Sequence, residues 1–500
     1  MMTNSSFLPV FLSVILLFCA CSKSEGTKEP KGVKNEVTFE PDLESLIRNP
    51  GMGWVIYDDA NDEVADASEY WNNQDEFARE YASCLYIRWR WSDFEPEEGK
   101  YAWEYDDNYK ALVQGAVDRG LKLAFRVYIN GQDNIKPGTP QFVFDAGVAS
   151  YEVNKLGGGK NLTPYPDDPI FQEKFENFIH AFAQEYDDAD MVEFVDGFNL
   201  GWWGEGHHLK FQNLLNRQST FSWIINLYGN AFQNVPLAIT VNSEMGYELE
   251  KIVAFEGQDY VLRRDGLGSQ WFSDYEKGIV KSHFPEKMFI AEAAYWGNGS
   301  IEYYSKIDNQ YNWSSWKEYY TQVVDEALEH HANYLDLREA VEASRYVSEA
   351  KSQVEKFIKR GGYRIFPSEI SYDSIIVAGD KLSIEHTWKN LGVGLMPNNN
   401  SRWNFKYKVA FGIVNSNNEL EKVYYSEDGE PSEWVYGEKF EYKESLDLSE
   451  VSAGEYKLVC AIVNSKNENL PAINLAVKNK LLLSEDGWLM VGDFNFNLPH

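Results

Sequence analysis

The sequence has little cysteine, a deficit of basic residues and few long apolar runs, and each shortage removes a class of protein. Only 4 cysteines occur in 500 residues. Cys19 and Cys21 lie near the N-terminus and Cys84 and Cys460 stand far apart, so there is no disulfide framework. No Cys/His spacing matches a zinc site. His207-His208 and His330-His331 are adjacent pairs, which diverge by about 100° on a helix and make no natural chelate. No metal and no cofactor are expected. Lys plus Arg is 46 against 78 for Asp plus Glu, a formal net charge of -32. A nucleic-acid backbone needs a basic face, so DNA and RNA are excluded as partners. The same balance disfavours polyanionic glycans, except where a local basic pocket holds one. The Gly-rich phosphate turn of a doubly wound sheet is also missing, and Gly157-Gly158-Gly159 sits in a long polar loop instead.

One apolar run stands out, from Phe7 to Ala20. It is too short to span a bilayer and reads as a signal-peptide core. It ends in Leu17-Phe18-Cys19-Ala20-Cys21. A small residue directly before a cysteine resembles a bacterial lipoprotein box, with Cys21 as the lipidated residue over residues 1–21. Residues 22–41 are polar and rich in Lys, Glu and Gly, which reads as a flexible tether. The mature chain is then expected to hang from a bacterial membrane by lipid alone, at the outer membrane, on its periplasmic or cell-surface side.

Aromatic residues are abundant: 16 Trp, 31 Tyr and 29 Phe. They supply a large core, and the excess suits sugar, whose C–H faces stack on aromatic rings. Eight apolar or β-branched runs alternate with helical patterns. They begin near Gly53, Leu85, Leu121, Val192, Leu237, Asp259, Met288 and Ala332. That alternation predicts a closed (β/α)8 TIM barrel over residues 42–362. After Gly361-Gly362 the pattern changes to short alternating strands, from Ile370–Val377 through Ala472–Leu483. Residues 363–500 therefore read as an all-β sandwich.

Catalytic groups of such barrels lie at the C-terminal ends of the strands. The seventh run places Glu292 alone among apolar residues, Met288-Phe289-Ile290-Ala291-Glu292-Ala293, and a lone buried carboxylate is costly unless paired or used. The fourth run leads into Gly201-Trp202-Trp203-Gly204-Glu205, where glycines turn the chain around paired tryptophans. Carboxylates after strands four and seven face each other across a barrel mouth, and such a pair can cleave a glycosidic bond. Asp196 is the rival acid on strand four. On strand two, Arg88 and Arg90 share one face by period two, and an inward Arg would keep Glu292 ionised. Trp54, Trp202, Trp203, Trp271 and Trp296 are candidate stacking surfaces. Asn199 and Asp265 are candidates for substrate binding. Arg126, Asn242, Glu244, Arg264, Asp336 and Arg338 are further strand-end groups for binding or buttressing.

Trp91 followed by Glu95-Pro96-x-x-Gly99-x-Tyr101-x-Trp103 resembles the second-strand motif of clan A retaining glycoside hydrolases. It is most similar to the family 42 β-galactosidase barrel. Asn49-Pro50-Gly51-Met52-Gly53-Trp54 and Gly201–Glu205 also look like a group of bacterial glycosidase-like barrels with a C-terminal β-domain of unknown function. The resemblance implies a lipid-anchored β-glycosidase acting on an oligo- or polysaccharide, possible targets including β-galactosides and other neutral sugars. It implies double displacement, with Glu205 as acid/base and Glu292 as nucleophile. Clan A barrels carry Asn directly before the strand-four Glu. Here Gly204 takes that place, and the nearest Asn is Asn199. Two other readings stay open: a non-catalytic surface glycan-binding protein on the same barrel, and a lyase, which would need its arginines clustered about a uronic acid.

Overall fold

The computed structural model describes residues 33–58, 64–131, 136–155, 158–483 and 487–498. Cys21, its leader and most of the expected tether lie outside the described residues. Among the described residues no helix is long and apolar enough to cross a membrane.

Eight parallel strands close the expected barrel: Gly53–Tyr57, Ala82–Arg90, Lys122–Tyr128, Val192–Asp196, Leu237–Thr240, Val261–Leu267, Phe289–Ala293 and Tyr334–Arg338. They are called barrel strands one to eight below. Their residues are buried almost throughout because each strand is covered on both faces, by helices outside and by facing strands inside, and their charges are gathered toward the strand ends. The helix Pro169–Tyr186 shows how the outer layer is specified. Asp168 caps it by accepting from Ile170 N and Phe171 N, and Pro169 opens it. Phe171, Phe175, Phe178 and Phe182 then form one buried stripe at helical spacing. On barrel strand two the outward Trp89 packs on Phe94 and Tyr109, and Trp91, just past the strand's end, packs on Phe175.

The C-terminal part is a two-sheet β domain with one core. Ile365–Asp373, Lys381–Asn390 and Phe440–Asp447 lie in one sheet, and Tyr407–Val414, Gly454–Asn464 and Leu489–Asn497 are central to the other. Ile370, Ile384, Phe411, Leu458 and Phe494 meet between them. Two expectations change here. Lys34–Thr38, inside the stretch read as tether, is an edge strand paired with Ile365–Asp373. An edge strand needs only one buried face, so its polar composition resembles a linker, while Val37 packs on the core and Lys34 bonds Glu385 at 2.9 Å. Ala472–Leu483, expected as the last strand, is irregular. The last strand is Leu489–Asn497, where Leu489, Val491, Phe494 and Phe496 are buried.

The β domain docks on the end of the barrel where the strands begin. Arg402 donates to Phe232 O and Gln258 O, and Asn400 to Asp259 O, all in segments that enter barrel strands five and six. Asn333, just before strand eight, bridges Gly51 O and Leu395 O at 2.7 Å each. The opposite end of the barrel, where the strands finish, is left for the site.

Candidate active site

The barrel lining changes from apolar to charged over one period-two step. Tyr86, Ala124, Phe194, Val261, Ile290 and Tyr334 belong to one buried cluster inside the barrel. Two positions on, the same inward rows carry Arg88, Arg126, Asp196, Arg263, Glu292 and Asp336. Six of the eight strands thus carry a charge at the mouth, while strands one and five, whose Val55 and Ala238 lie in the same cluster, carry Tyr57 and Thr240 there.

Glu292 is 5% exposed. Its Oε2 accepts from Arg263 Nη2, and Arg263 Nη1 lies 3.5 Å from Asp196 Oδ2. That Asp196 oxygen also accepts from Tyr86 OH and from Arg126 Nε at 3.1 Å. Arg126 Nη1 reaches on to Glu205 Oε1. One string of ion pairs, Glu205–Arg126–Asp196–Arg263–Glu292, therefore crosses the mouth. Asp196, the rival acid of strand four, is the internal anion of this string, held by two guanidiniums and a phenol.

The two glutamates are treated differently by their surroundings. Burial pushes both carboxyls up. At Glu292 the Arg263 guanidinium, helped by Arg88, Arg126 and Arg338, outweighs burial and holds the carboxyl down at about 2. At Glu205, 6% exposed, burial dominates. Arg126 opposes it, Asp265 and Glu292 reinforce it, and the carboxyl sits above its ordinary value. One carboxyl is thus held ionised and the other is easier to protonate, a difference of the kind that separates a nucleophile from an acid/base.

A tight loop presents Glu205. Trp203 N donates to Asn130 O at 2.8 Å, Glu205 N to Trp202 O at 3.0 Å and Gly206 N to Leu200 O at 2.9 Å. Gly204 and Gly206 have φ of 75° and 78°. A Cβ on Gly206 would sit 2.7 Å from Ser243 Cβ, so both backbone hand and space require glycine there.

The sequence-predicted binding residues divide. Trp202 and Trp203 are half-buried on this loop, with ring centroids 5.6 Å apart, and Trp202 stacks on His208. Trp296, half-buried after strand seven, lies under the Arg338 guanidinium at 4.3 Å and edge-on to Tyr57. Asp265 is half-buried beside Arg264 and within the field of Glu205. Arg88 lies at the mouth, its guanidinium 5.4 Å from the Tyr57 ring. Arg90 instead pairs with Asp93 at 2.5 Å. Trp271 is exposed beyond strand six.

Two expectations are corrected. Trp54 is fully buried on the outside of strand one, donates to Val354 O at 3.1 Å and meets Tyr346 and Phe357 edge-on. Its place on the outward row of a strand puts it under a helix, away from any sugar. Asn199 is also fully buried, with φ of 60°, and its Nδ2 donates to Val127 O and Asp196 O. It braces the strand-four loop and cannot reach a substrate hydroxyl.

The Glu95-Pro96-x-x-Gly99 motif is a loop staple. Glu95 accepts from Trp91 Nε1 and from Gly99 N, both at 2.8 Å, and Tyr101 stacks on Trp103 with centroids 4.6 Å apart. Sequence reasoning passed over Arg263, the direct partner of Glu292, and Tyr86. The signal that finds them is the inward row itself: an apolar wall residue followed two places later by a charge.

No family model matches the chain, and no curated protein matches it. Among solved structures it is similar to a cold-adapted β-galactosidase from Rahnella sp., at 12% identity over 69% of this chain and 60% of that one, with a TM-score of 0.40. It is similar to an exo-β-1,4-mannosidase from an Opitutaceae bacterium, at 13% identity over 61% of this chain and 55% of that one, TM-score 0.37. A glycoside hydrolase family 5 enzyme from Prevotella bryantii aligns at 12% identity over 64% of this chain and 98% of that one, TM-score 0.38. The chain thus spans about 60% of the length of the Rahnella enzyme. Likenesses of this degree assign no activity; that rests on the residues at the mouth.

Proposed function

We propose that the protein is a glycoside hydrolase that cleaves a β-glycosidic bond with retention, using Glu205 and Glu292. The observation that carries this reading is the opposite setting of the two carboxyls within one string of ion pairs. In the first step Glu205 gives its proton to the glycosidic oxygen and the bond to the leaving group breaks. A Glu292 oxygen forms a bond to the anomeric carbon, giving a glycosyl-enzyme. In the second step Glu205, now ionised, takes a proton from water, whose oxygen attacks the same carbon and releases the Glu292 carboxylate. Arg263 serves both steps by holding Glu292 charged and oriented. The two carboxyls are expected to stand about 5–5.5 Å apart, as retention requires. Trp202, Trp203 and Trp296 offer the half-buried rings on which a pyranose would stack. β-Galactosides are the first substrates to try, on the strength of the strand-two resemblance. The same reading tethers the protein to a bacterial membrane through lipid on Cys21.

The test is release of sugar from a panel of aryl β-glycosides and β-linked oligosaccharides by wild type, Glu205→Gln and Glu292→Gln. The expected result is turnover by wild type and a loss of about three orders of magnitude or more in each variant. If neither variant differs from wild type, the assignment fails. If the folded wild type binds glycans but turns none over, the barrel is a binding protein.

A further inference from the structure

Four guanidiniums reach the barrel mouth, from Arg88, Arg126, Arg263 and Arg338. Three have carboxylate partners. Arg126 holds Asp196 and Glu205, Arg263 holds Glu292, and Arg338 Nε lies 2.7 Å from both Asp336 Oδ2 and Glu342 Oε2. Arg88 differs. It is 7% exposed, and its Nε and Nη1 have no hydrogen-bond partner among the described residues. Its guanidinium lies 5.4 Å from the Tyr57 ring and 6.0 Å from the Trp296 ring, contacts that hold the cation but supply no hydrogen-bond acceptor. Glu292 attracts it from a distance but is bonded to Arg263. Buried donors without an acceptor are costly, and a ligand that accepts from them would remove that cost.

Resting on the glycosidase reading for its site, we infer that the mouth binds a saccharide bearing one anionic substituent, a uronic carboxylate or a sulfate ester, seated on Arg88. Half-buried Trp296 beside that guanidinium provides the apolar face for the ring that carries the charge. A charge-assisted bond from Arg88 favours an anion over a hydroxyl at this place. The net charge of -32 opposes a densely charged polymer, so the fit is to a short saccharide or one with sparse charge.

The experiment compares matched pairs: aryl β-glucuronide against β-glucoside, aryl β-galacturonide against β-galactoside, and 6-sulfated against unsulfated β-galactoside. Each is assayed with wild type, Arg88→Met and Arg88→Lys, and unlabelled galacturonic acid, galactose 6-sulfate and galactose are titrated calorimetrically against all three. The expected wild-type preference for the charged member of one pair is roughly tenfold to hundredfold, the size of a charge-assisted hydrogen bond. It should collapse in Arg88→Met and partly return in Arg88→Lys. The uronide and sulfate arms tell which anion is taken. Both Arg88 variants are compared only as folded proteins, checked by circular-dichroism melts. An equal loss on charged and neutral members overturns the inference and makes Arg88 a positioning residue for Glu292. Turnover of neutral sugars only, or calorimetric binding of galactose as tight as that of its charged analogues, also overturns it while leaving the glycosidase reading intact. Arg88-dependent binding of the acids with no turnover, or with release of an unsaturated uronide, keeps the anion seat and overturns the glycosidase reading.

Discussion

Replacing Arg263 by Met tests whether one guanidinium sets the charge of Glu292. Met is close to Arg in volume but stops short of the guanidinium, so the change removes the charge and its donors while largely keeping the stem. Glu292 is held at about 2 against an ordinary 4.5, with Arg263 the largest of the influences pulling it down. That difference is about 3 kcal/mol of preference for the ionised form. Without Arg263, burial still pushes up while Arg88, Arg126 and Arg338 oppose it, so the carboxyl should rise. The acid limb of kcat/KM should therefore move to higher pH. Arg263→Lys, which keeps charge but loses the second donor, should fall between. Stability follows with a definite sign. A carboxyl depressed in the folded state contributes stability that is present above about pH 4.5 and lost as pH falls toward 2. The variant should be less stable than wild type at neutral pH, by about 3–5 kcal/mol for a broken buried pair, and the gap should narrow below pH 4.5. The assays are a pH–rate profile with an aryl glycoside and urea melts at several pH values. An unchanged acid limb in a folded Arg263→Met protein would refute the reasoning.

Glu205→Gln should lose the basic limb of the profile, which in wild type reports the proton on Glu205. Its loss of rate should be large for poor leaving groups and small for a dinitrophenyl glycoside, which needs no protonation; equal losses on both would contradict an acid/base role. Trp54→Ala should lower stability by about 3–5 kcal/mol, as other large core truncations do, and leave KM unchanged, checked by urea melts and steady-state kinetics.

The barrel was legible because parallel strands buried on both faces read as apolar runs, which held for most of the eight, and because those runs alternate with helical patterns. Strand six, Val261-Leu262-Arg263-Arg264-Asp265-Gly266-Leu267, is the weakest of them. The last strand of the β domain was harder, since Gly492 and Asp493 interrupt the alternation of Leu489–Asn497. Lys34–Thr38 was hidden because an edge strand with one buried face looks like a polar linker. Glu292 and Glu205 were legible, the first as a lone acid in an apolar strand and the second by its glycine-flanked turn. Trp54 and Asn199 misled for a shared reason. Residue type suggests sugar contact, but the pleat puts Trp54 on the outward row, a left-handed turn past strand four folds Asn199 in, and both side chains satisfy their donors on backbone carbonyls inside the protein. Arg263 was passed over beside Arg264 because which of two adjacent arginines points inward depends on where the strand begins. The structure starts it at Val261, which turns Arg263 in and sends Arg264 toward Glu276.

The most direct test of the central claim is covalent trapping on the best substrate of the panel, converted to its 2-deoxy-2-fluoro derivative with an activated leaving group. Retention through Glu292 predicts time-dependent inactivation and a mass gain of one fluorosugar, located by peptide mapping to the segment Phe289–Ala293 at Glu292. A label on another carboxylate, or steady turnover without any label and with an inverted anomer as first product, would contradict it.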